Sequence, residues 1–346
     1  VSNEFTPFRD LKTILGLRVE NYVQRHTGRD QQYASGDEVN GKNLENEKVL
    51  ESLDLFPSVN FIYSLTEKQN LRLTWSRTIA RPSFKELSFA QILDPISNRI
   101  FNGSLFTYGD WDGKLSETRI SNLDLRWELF MNNGQIISLS GFYKSFSDPI
   151  ELVRIPEQQT STEYQPRNMG DGQLYGLEFE FKKDLDFLAP SWKNLSLNAN
   201  YTLVRSSIDM TDSEFNSRTA FQKSGESIDR SREMAGQSPY VVNAGITYGN
   251  YKHGLDAGLF YNVKGSTLTI VGGGLFPDIY IEPFRSLNFS ISKKFGKERK
   301  ASLDLKMANL LDEEVRSVYR AYETEDMNYS LINPGRSFSL GFSLRI

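Results

Sequence analysis

The chain has 346 residues, no Cys and only two His, at 26 and 253. This excludes disulfides, thiolate metal sites and Cys nucleophiles, and leaves little room for zinc or imidazole chemistry. A net charge of −4 excludes the basic stripe of a nucleic-acid binder, and no run of about 18 apolar residues offers a transmembrane helix.

The chain opens VSNEFTPFRD, without the basic start and apolar core of a signal peptide, so it reads as mature or as a fragment. From there apolar residues recur at every second position, which is the strand period. About twelve such runs lie near 11–25, 49–65, 68–80, 116–130, 134–147, 171–183, 194–208, 237–249, 254–265, 283–295, 300–311 and 334–346. Leu123, Leu125, Trp127 and Leu129 alternate with Asn122, Asp124, Arg126 and Glu128. Tyr175, Leu177, Phe179 and Phe181 alternate with Gly176, Glu178, Glu180 and Lys182. Leu195 to Leu203, Val242 to Tyr248, Leu287 to Ile291 and Leu303 to Met307 repeat the pattern. In the last run Phe338, Leu340, Phe342, Leu344 and Ile346 are apolar, and Ser337, Ser339, Gly341, Ser343 and Arg345 are small or charged. Roughly 9–11 residues is the length a tilted strand needs to cross a bilayer, longer than an ordinary strand of about 5–6.

Connections alternate in length. Short polar links near 66–69, 131–134, 184–193, 250–253 and 296–299 are separated by long ones near 26–48, 81–115, 148–170, 209–236, 266–282 and 312–333. Up-and-down antiparallel pairing puts the short links at one rim and the long ones at the other, as in outer-membrane barrels. Tyr143, Tyr201 and Tyr261 fall far from the short turns, while Tyr63, Trp127, Tyr248 and Phe295 fall near them. Two interfacial aromatic girdles are expected, with 16 Tyr and 23 Phe to supply them. The competing reading, the core of a soluble sandwich, has no use for strands this long with so charged a polar face. The expected fold is all-β: a transmembrane antiparallel up-and-down β-barrel in the bacterial outer membrane, in contact with the lipid bilayer, with its polar face inward.

Six stretches then resemble one family. Leu55-Phe56-Pro57-Ser58-Val59-Asn60 with Tyr63 resembles an LPSVNxxY strand. Ser76 to Leu87 resembles SRxxxRPxxxEL, and Tyr108-Gly109, Leu115 to Thr118 and Asn122 to Leu125 resemble GNPxLKPExSxNxDL, with Asp110-Trp111-Asp112 in place of Asn-Pro. Gly176 to Glu180 resembles GxExE, Asn309-Leu310-Leu311-Asp312 resembles NLxD, and Pro334 to Phe338 opens the last strand in the same style. The chain resembles the C-terminal part of the barrel of TonB-dependent outer-membrane receptors, in the form common among Bacteroidetes. Family chains end in an aromatic residue, and this one ends in Ile346.

The resemblance implies a barrel of about 22 strands with a plug in its lumen. Residues 1–346 would supply about twelve strands and no plug. The chain is then a fragment of a longer polypeptide; a self-closed twelve-strand barrel is the alternative. The implied activity is energised uptake of a siderophore, cobalamin or glycan, driven by a TonB-type complex acting on the plug. An outer-membrane lipoprotein is a further candidate partner. A structural component of an outer-membrane complex and a passive pore remain open as alternatives.

Enzymatic readings are weaker. Gly170 to Gly176 opens a strand rather than a helix, unlike a dinucleotide loop, and Gly272-Gly273-Gly274 lacks the Lys of a P-loop. Asp110-Trp111-Asp112-Gly113 lacks the Glu of a calcium loop. A membrane hydrolase needs a Ser–His pair, but His253 falls in a short turn and His26 at the outer end of the first run. No catalytic residue, metal site or cofactor is expected. Lumen-facing candidates are Arg72, Arg126, Glu128, Glu178, Glu180 and Lys182, set to meet a plug or to pair with one another. Ligand-binding candidates on the outer loops are Phe101, Tyr108, Trp111, Arg154, Tyr164, Arg167, Phe276, Tyr319, Arg320 and Tyr322. Aromatic rings with arginines suit siderophores or glycans by stacking and hydrogen bonding.

Overall fold

Alternating side chains require a sheet with two unlike faces, and the computed structural model shows one long sheet of this kind. It describes residues 1–94, 99–155, 163–296 and 298–345. The wall strands are β1 (Ser2–Phe8), β2 (Leu11–Arg29), β3 (Asn43–Thr66), β4 (Gln69–Ala80), β5 (Thr118–Phe130) and β6 (Ile136–Ser147). They continue as β7 (Gly172–Asp184), β8 (Leu195–Asp209), β9 (Tyr240–Asn250), β10 (Leu255–Lys264), β11 (Phe284–Phe295), β12 (Ala301–Ala308) and β13 (Ser337–Leu344). Each pairs antiparallel with the next in chain order, and Ser231–Arg232 adds beside β8, giving a 14-stranded sheet. Among the described residues β1 and β13 are paired on one side only.

All twelve expected runs are wall strands. A further strand, β1, escaped the alternation: Pro7 removes a donor, and the register against β2 shifts between Phe5 and Phe8. β2 and β3 also run longer than expected, pairing up to Arg29 and Asn43 beyond the apolar stretch. Ile346 lies outside the described residues.

The register carries one face across the whole wall. Trp75 stands opposite Leu123, Leu123 opposite Tyr143, and Tyr143 opposite Tyr175. This face is apolar and open: Leu55, Leu125, Leu177 and Leu340 are each at least 49% exposed. So large an exposed apolar surface belongs against lipid, where a charged residue at mid-depth would cost about 2–4 kcal/mol. The girdle rings find polar partners at its margins. Tyr143 Oη donates to Gln173 at 3.4 Å, and Trp127 Nε1 donates to Gln69 at 3.2 Å beside the short turn at 67–68.

The opposite face is polar, with a large ring fitted into it. Phe260 lies over Gly245 and Gly258; an added Cβ at either glycine would come within 2.6 Å of the ring. Glycine is required there because the ring occupies the space of a side chain.

Candidate functional site

The short turns at 9–10, 67–68, 131–135, 185–194, 251–254 and 296–300 define one rim of the wall. The long segments 30–42, 81–117, 148–171, 210–239, 265–283 and 309–336 rise from the other. The sequence offers little pattern in these long segments, yet four of them fold into hairpins. Gln91–Asp94 pairs with Arg99–Asn102, and Ile150–Arg154 pairs with Glu163–Asn168. Glu163 and Tyr164 then pair in parallel with Ile100 and Phe101, completing a four-stranded sheet. Thr267–Ile270, Asp278–Ile281, Val315–Arg320 and Met327–Ile332 form a second one.

The two sheets are joined where Val153 pairs with Val271 and Arg154 N donates to Val271 O at 3.1 Å. Their far ends also meet, since the Arg99 guanidinium lies 5.1 Å from the centroid of the Tyr329 ring. Together they curl round a core of Leu152, Tyr164, Ile270, Ile279, Tyr319 and Tyr329. Tyr319 meets Tyr329 edge-on at 5.1 Å. Burial pushes the Tyr329 phenol above its ordinary 10.0. Burial raises Tyr319 as well.

Segment 210–239 contributes the helix α1 (Asp212–Ala220), whose first turn is capped by Thr211 Oγ1 accepting from Glu214 N at 3.2 Å. From it Glu214 and Arg218 reach sideways into a buried ion network. Arg232 donates to Glu214 and to Glu151, both at 2.6 Å. Arg218 donates to Glu214 at 3.0 Å and grips both oxygens of Asp278, at 2.8 and 3.1 Å. Burial alone would lower the Arg232 guanidinium, but the bonds and charge of Glu214, then Glu151, outweigh it and hold it above its ordinary value. Three outer segments are thereby fastened by side chains that water hardly reaches. Nearby, Tyr280 Oη donates to Glu233 at 2.5 Å; burial first, and this bond second, raise its phenol.

Two hollows open in this layer. The smaller, about 140 Å³, gathers Trp111, Arg154 and Arg167 together with Asp110, Ser213 and Gly272. Arg154 also stacks on Phe276 at 3.1 Å from the ring centroid, and Arg167 lies 5.7 Å from the Trp111 ring. The larger, about 620 Å³, gathers Phe276, Arg320 and Tyr322 with Phe221, Lys223 and Tyr280. Only the larger falls in the size range of small-molecule sites, about 300–1,000 Å³. Its rim is fixed by Lys223 Nζ donating to Tyr322 O at 2.9 Å and by Tyr322 Oη donating to Gly225 O at 3.0 Å. The Arg320 guanidinium stacks 4.4 Å from the Tyr280 ring centroid.

The sequence candidates thus divide. Phe276, Arg320 and Tyr322 share the large cleft, and Trp111, Arg154 and Arg167 the small hollow. Tyr108 bridges to Trp111, and Phe101 carries the Lys85 ammonium 4.0 Å over its ring. Tyr164, 3% exposed, and Tyr319 are core residues of the loop layer. Phe221, Lys223 and Tyr280 were not singled out from the sequence. Phe221 follows directly on a capped helix, the one local signal that could have marked it.

On the inward face the charged candidates form a ladder. Arg72 Nε donates to Glu128 at 2.7 Å, Arg126 Nε donates to the other oxygen of Glu128 at 2.9 Å, and Arg126 Nη2 donates to Glu180 at 2.7 Å. Asn200 donates to Glu178 at 2.6 Å, and Lys182 is exposed on the same face. His26 stands edge-on to Phe89 on the long-loop side, and His253 lies in the short turn at 251–254, so the two imidazoles sit at opposite rims.

Comparison with known proteins gives a family and a fold. The family described as "TonB dependent receptor-like, beta-barrel" matches residues 1–310. Among solved structures the chain is similar to the copper transporter OprC, at 15% identity and a TM-score of 0.65, covering 99% of this chain and 46% of that one. It is similar to the ferric-catecholate import receptor Fiu from E. coli K12, at 12% identity and a TM-score of 0.61, covering 99% and 43%. It is also similar to the ferric yersiniabactin uptake receptor FyuA from Yersinia pestis, at 15% identity and a TM-score of 0.59, covering 99% and 44%. The chain spans less than half the length of these proteins. A search of curated proteins gave no match.

Proposed function

Because the chain belongs to the TonB-dependent receptor-like β-barrel family, whose members lie in the bacterial outer membrane, we propose that it forms part of the wall and mouth of an energised nutrient transporter. The observation that carries this reading is the large cleft of Phe221, Phe276, Tyr280, Arg320 and Tyr322, held open by three outer segments on a barrel of that family. Aromatic faces beside a guanidinium bind small molecules that present both flat apolar surface and oxygen acceptors. A metal chelate such as a siderophore meets that description, as do cobalamin and a glycan.

The polar face with its Arg72–Glu128–Arg126–Glu180 ladder serves as the surface against which a plug packs. A plug in the lumen is where a TonB-type complex would apply force. The wall makes and breaks no bond; it gives the plug a rigid frame and the ligand a shaped entrance.

The test is uptake by cells lacking the protein, across iron chelates, cobalamin and glycans, with and without the energy complex. Loss of one class, restored by the wild-type gene and dependent on the energy complex, supports the reading. Unchanged uptake of every class overturns it. Uptake that survives loss of the energy complex points to a passive pore instead.

A further inference from the structure

The β2–β3 pair continues past its apolar stretch to Arg29 and Asn43. Beyond Val23 the exposed positions of β2 are Arg25, Thr27 and Arg29, so this end of the pair stands in water. It leans on segment 81–117. Leu50 on the pair packs with Leu87, Leu105 and Leu115 of the segment, and Leu44 and Phe89 lie against this cluster. Gln31, just past the end of β2, donates to Gln91.

His26 sits in this joint. Its ring meets Phe89 edge-on with centroids 5.8 Å apart, and Phe89 meets Phe106 edge-on at 5.5 Å. The Nε2 atom is shut off from water and has no hydrogen-bond partner. Gly28 leaves the space it fills: an added Cβ there would come within 2.5 Å of Nε2. A neutral imidazole fits such a place. An imidazolium must donate from both nitrogens and carries a full charge, and Nε2 has nothing to donate to. The charges around it are engaged elsewhere. Glu47 stands opposite His26 in register but forms no ion pair with it. Lys48 is held by Glu51, Arg25 by Asn46 O, and Asp30 by Tyr33 N and Lys42 N. Across the joint Lys85 lies over the Phe101 ring, and Glu86 accepts from Ser83 N.

We propose that His26 is a pH latch: neutral, it lets the β2–β3 pair close on segment 81–117, and protonated, it releases the pair. Burial lowers the imidazole below its ordinary 6.5. A folded-state value below the unfolded one leaves the closed joint fully stable above that pH and weakens it as pH falls further. Among unperturbed side chains only His changes charge in this range, and His253 lies at the opposite rim. Mild acid therefore parts the outer layer along this joint. The Arg232 network with Glu151 and Glu214 contains no His and stays in place. The latch needs neither a particular cargo nor an energy complex, so it stands or falls apart from the transport reading.

Distances between two spin labels on the full-length protein in detergent test it. The labels are carried by Val39→Cys, between β2 and β3, and Phe84→Cys, on the segment, both at exposed positions. One short distance is expected at neutral pH. At about pH 5 a longer one should appear, with the open fraction rising roughly 3–10-fold. His26→Phe and His26→Gln, which cannot take up a proton there, should keep the short distance at both pH values. His253→Gln should respond like the wild type. Each variant is checked for heat-modifiable migration, the sign of a folded barrel. A wild type that stays closed in mild acid, or one that opens no more than the two His26 variants, overturns the latch. So does a response lost in His253→Gln. Opening of both His26 variants at neutral pH overturns it too, because the imidazole would then serve packing alone.

Discussion

Arg232 and Glu151 meet at 2.6 Å although they stand on different outer segments, 210–239 and 148–171, and both side chains are almost wholly buried. Neither charge has water to fall back on. Removing one partner of a buried pair costs about 3–5 kcal/mol, because the other charge is left uncompensated. Arg232→Ala should therefore loosen the loop layer while the lipid-facing wall stays folded. Limited proteolysis should cut within 148–171 and 210–239 in this variant and spare the wild type. Equal resistance in both would show that the network is not what holds these segments.

Tyr280, Tyr319 and Tyr329 all have phenols raised above the ordinary 10.0, by burial first. A folded-state value above the unfolded one stabilises the layer fully below pH 10, and that contribution is lost as pH rises beyond it. The loops should stay closed through the neutral range and open in strong alkali. Tyr280→Phe should remove part of the alkaline transition, since it deletes both the phenol and its bond to Glu233. Tyrosinate absorbance followed against pH would check this; an ordinary titration of every tyrosine would contradict it.

In the large cleft, Phe221 and Arg320 offer the most direct tests. Phe221→Ala and Arg320→Ala should each weaken ligand binding by about 1–2 kcal/mol, roughly 5–30-fold. Heat-modifiability of the barrel should be unaffected, because neither residue lies in the wall. Trp111→Ala, on the smaller hollow, should change affinity less. Ligand-dependent growth at limiting concentration is the readout, and a larger loss in Trp111→Ala would move the site to the smaller hollow.

On the inward face Arg126 bridges Glu128 and Glu180, whereas Arg72 reaches Glu128 alone. Arg126→Ala should be the more damaging of the two, by about 1–3 kcal/mol given that Glu180 is partly solvated. Urea midpoints of the refolded barrel would rank them. A plug packed on this face would add to both losses.

The wall was readable from the sequence because each strand repeats its own two-residue pattern. β1 was not, since Pro7 and the register shift at Phe5 break that pattern within seven residues. The loop sheets had no such signature. Strands as short as Gln91–Asp94 and Thr267–Ile270 take their pairing from other segments, not from a local repeat. The ion network was equally hidden, because Glu151, Glu214 and Asp278 stand far apart in the chain and look like ordinary solvated loop charges. Phe276, Arg320 and Tyr322, chosen by residue type, are brought together in one cleft by the fold. Type alone could not tell these from Tyr164, an aromatic on a similar loop that the fold turns inward.

The loop layer also imposes an order of events. Its parallel pairings, Tyr164 with Phe101 and Val153 with Val271, join strands from different segments. Strands of four residues have no stability of their own, and parallel neighbours cannot be joined by a tight hairpin. The layer can condense only after the wall has brought its segments side by side. During insertion these segments must then cross as loose chain, with Glu151, Glu214 and Arg232 still hydrated. The charges lose their water only at the last step, once all three have arrived, so assembly ends with a cooperative closing of the outer surface.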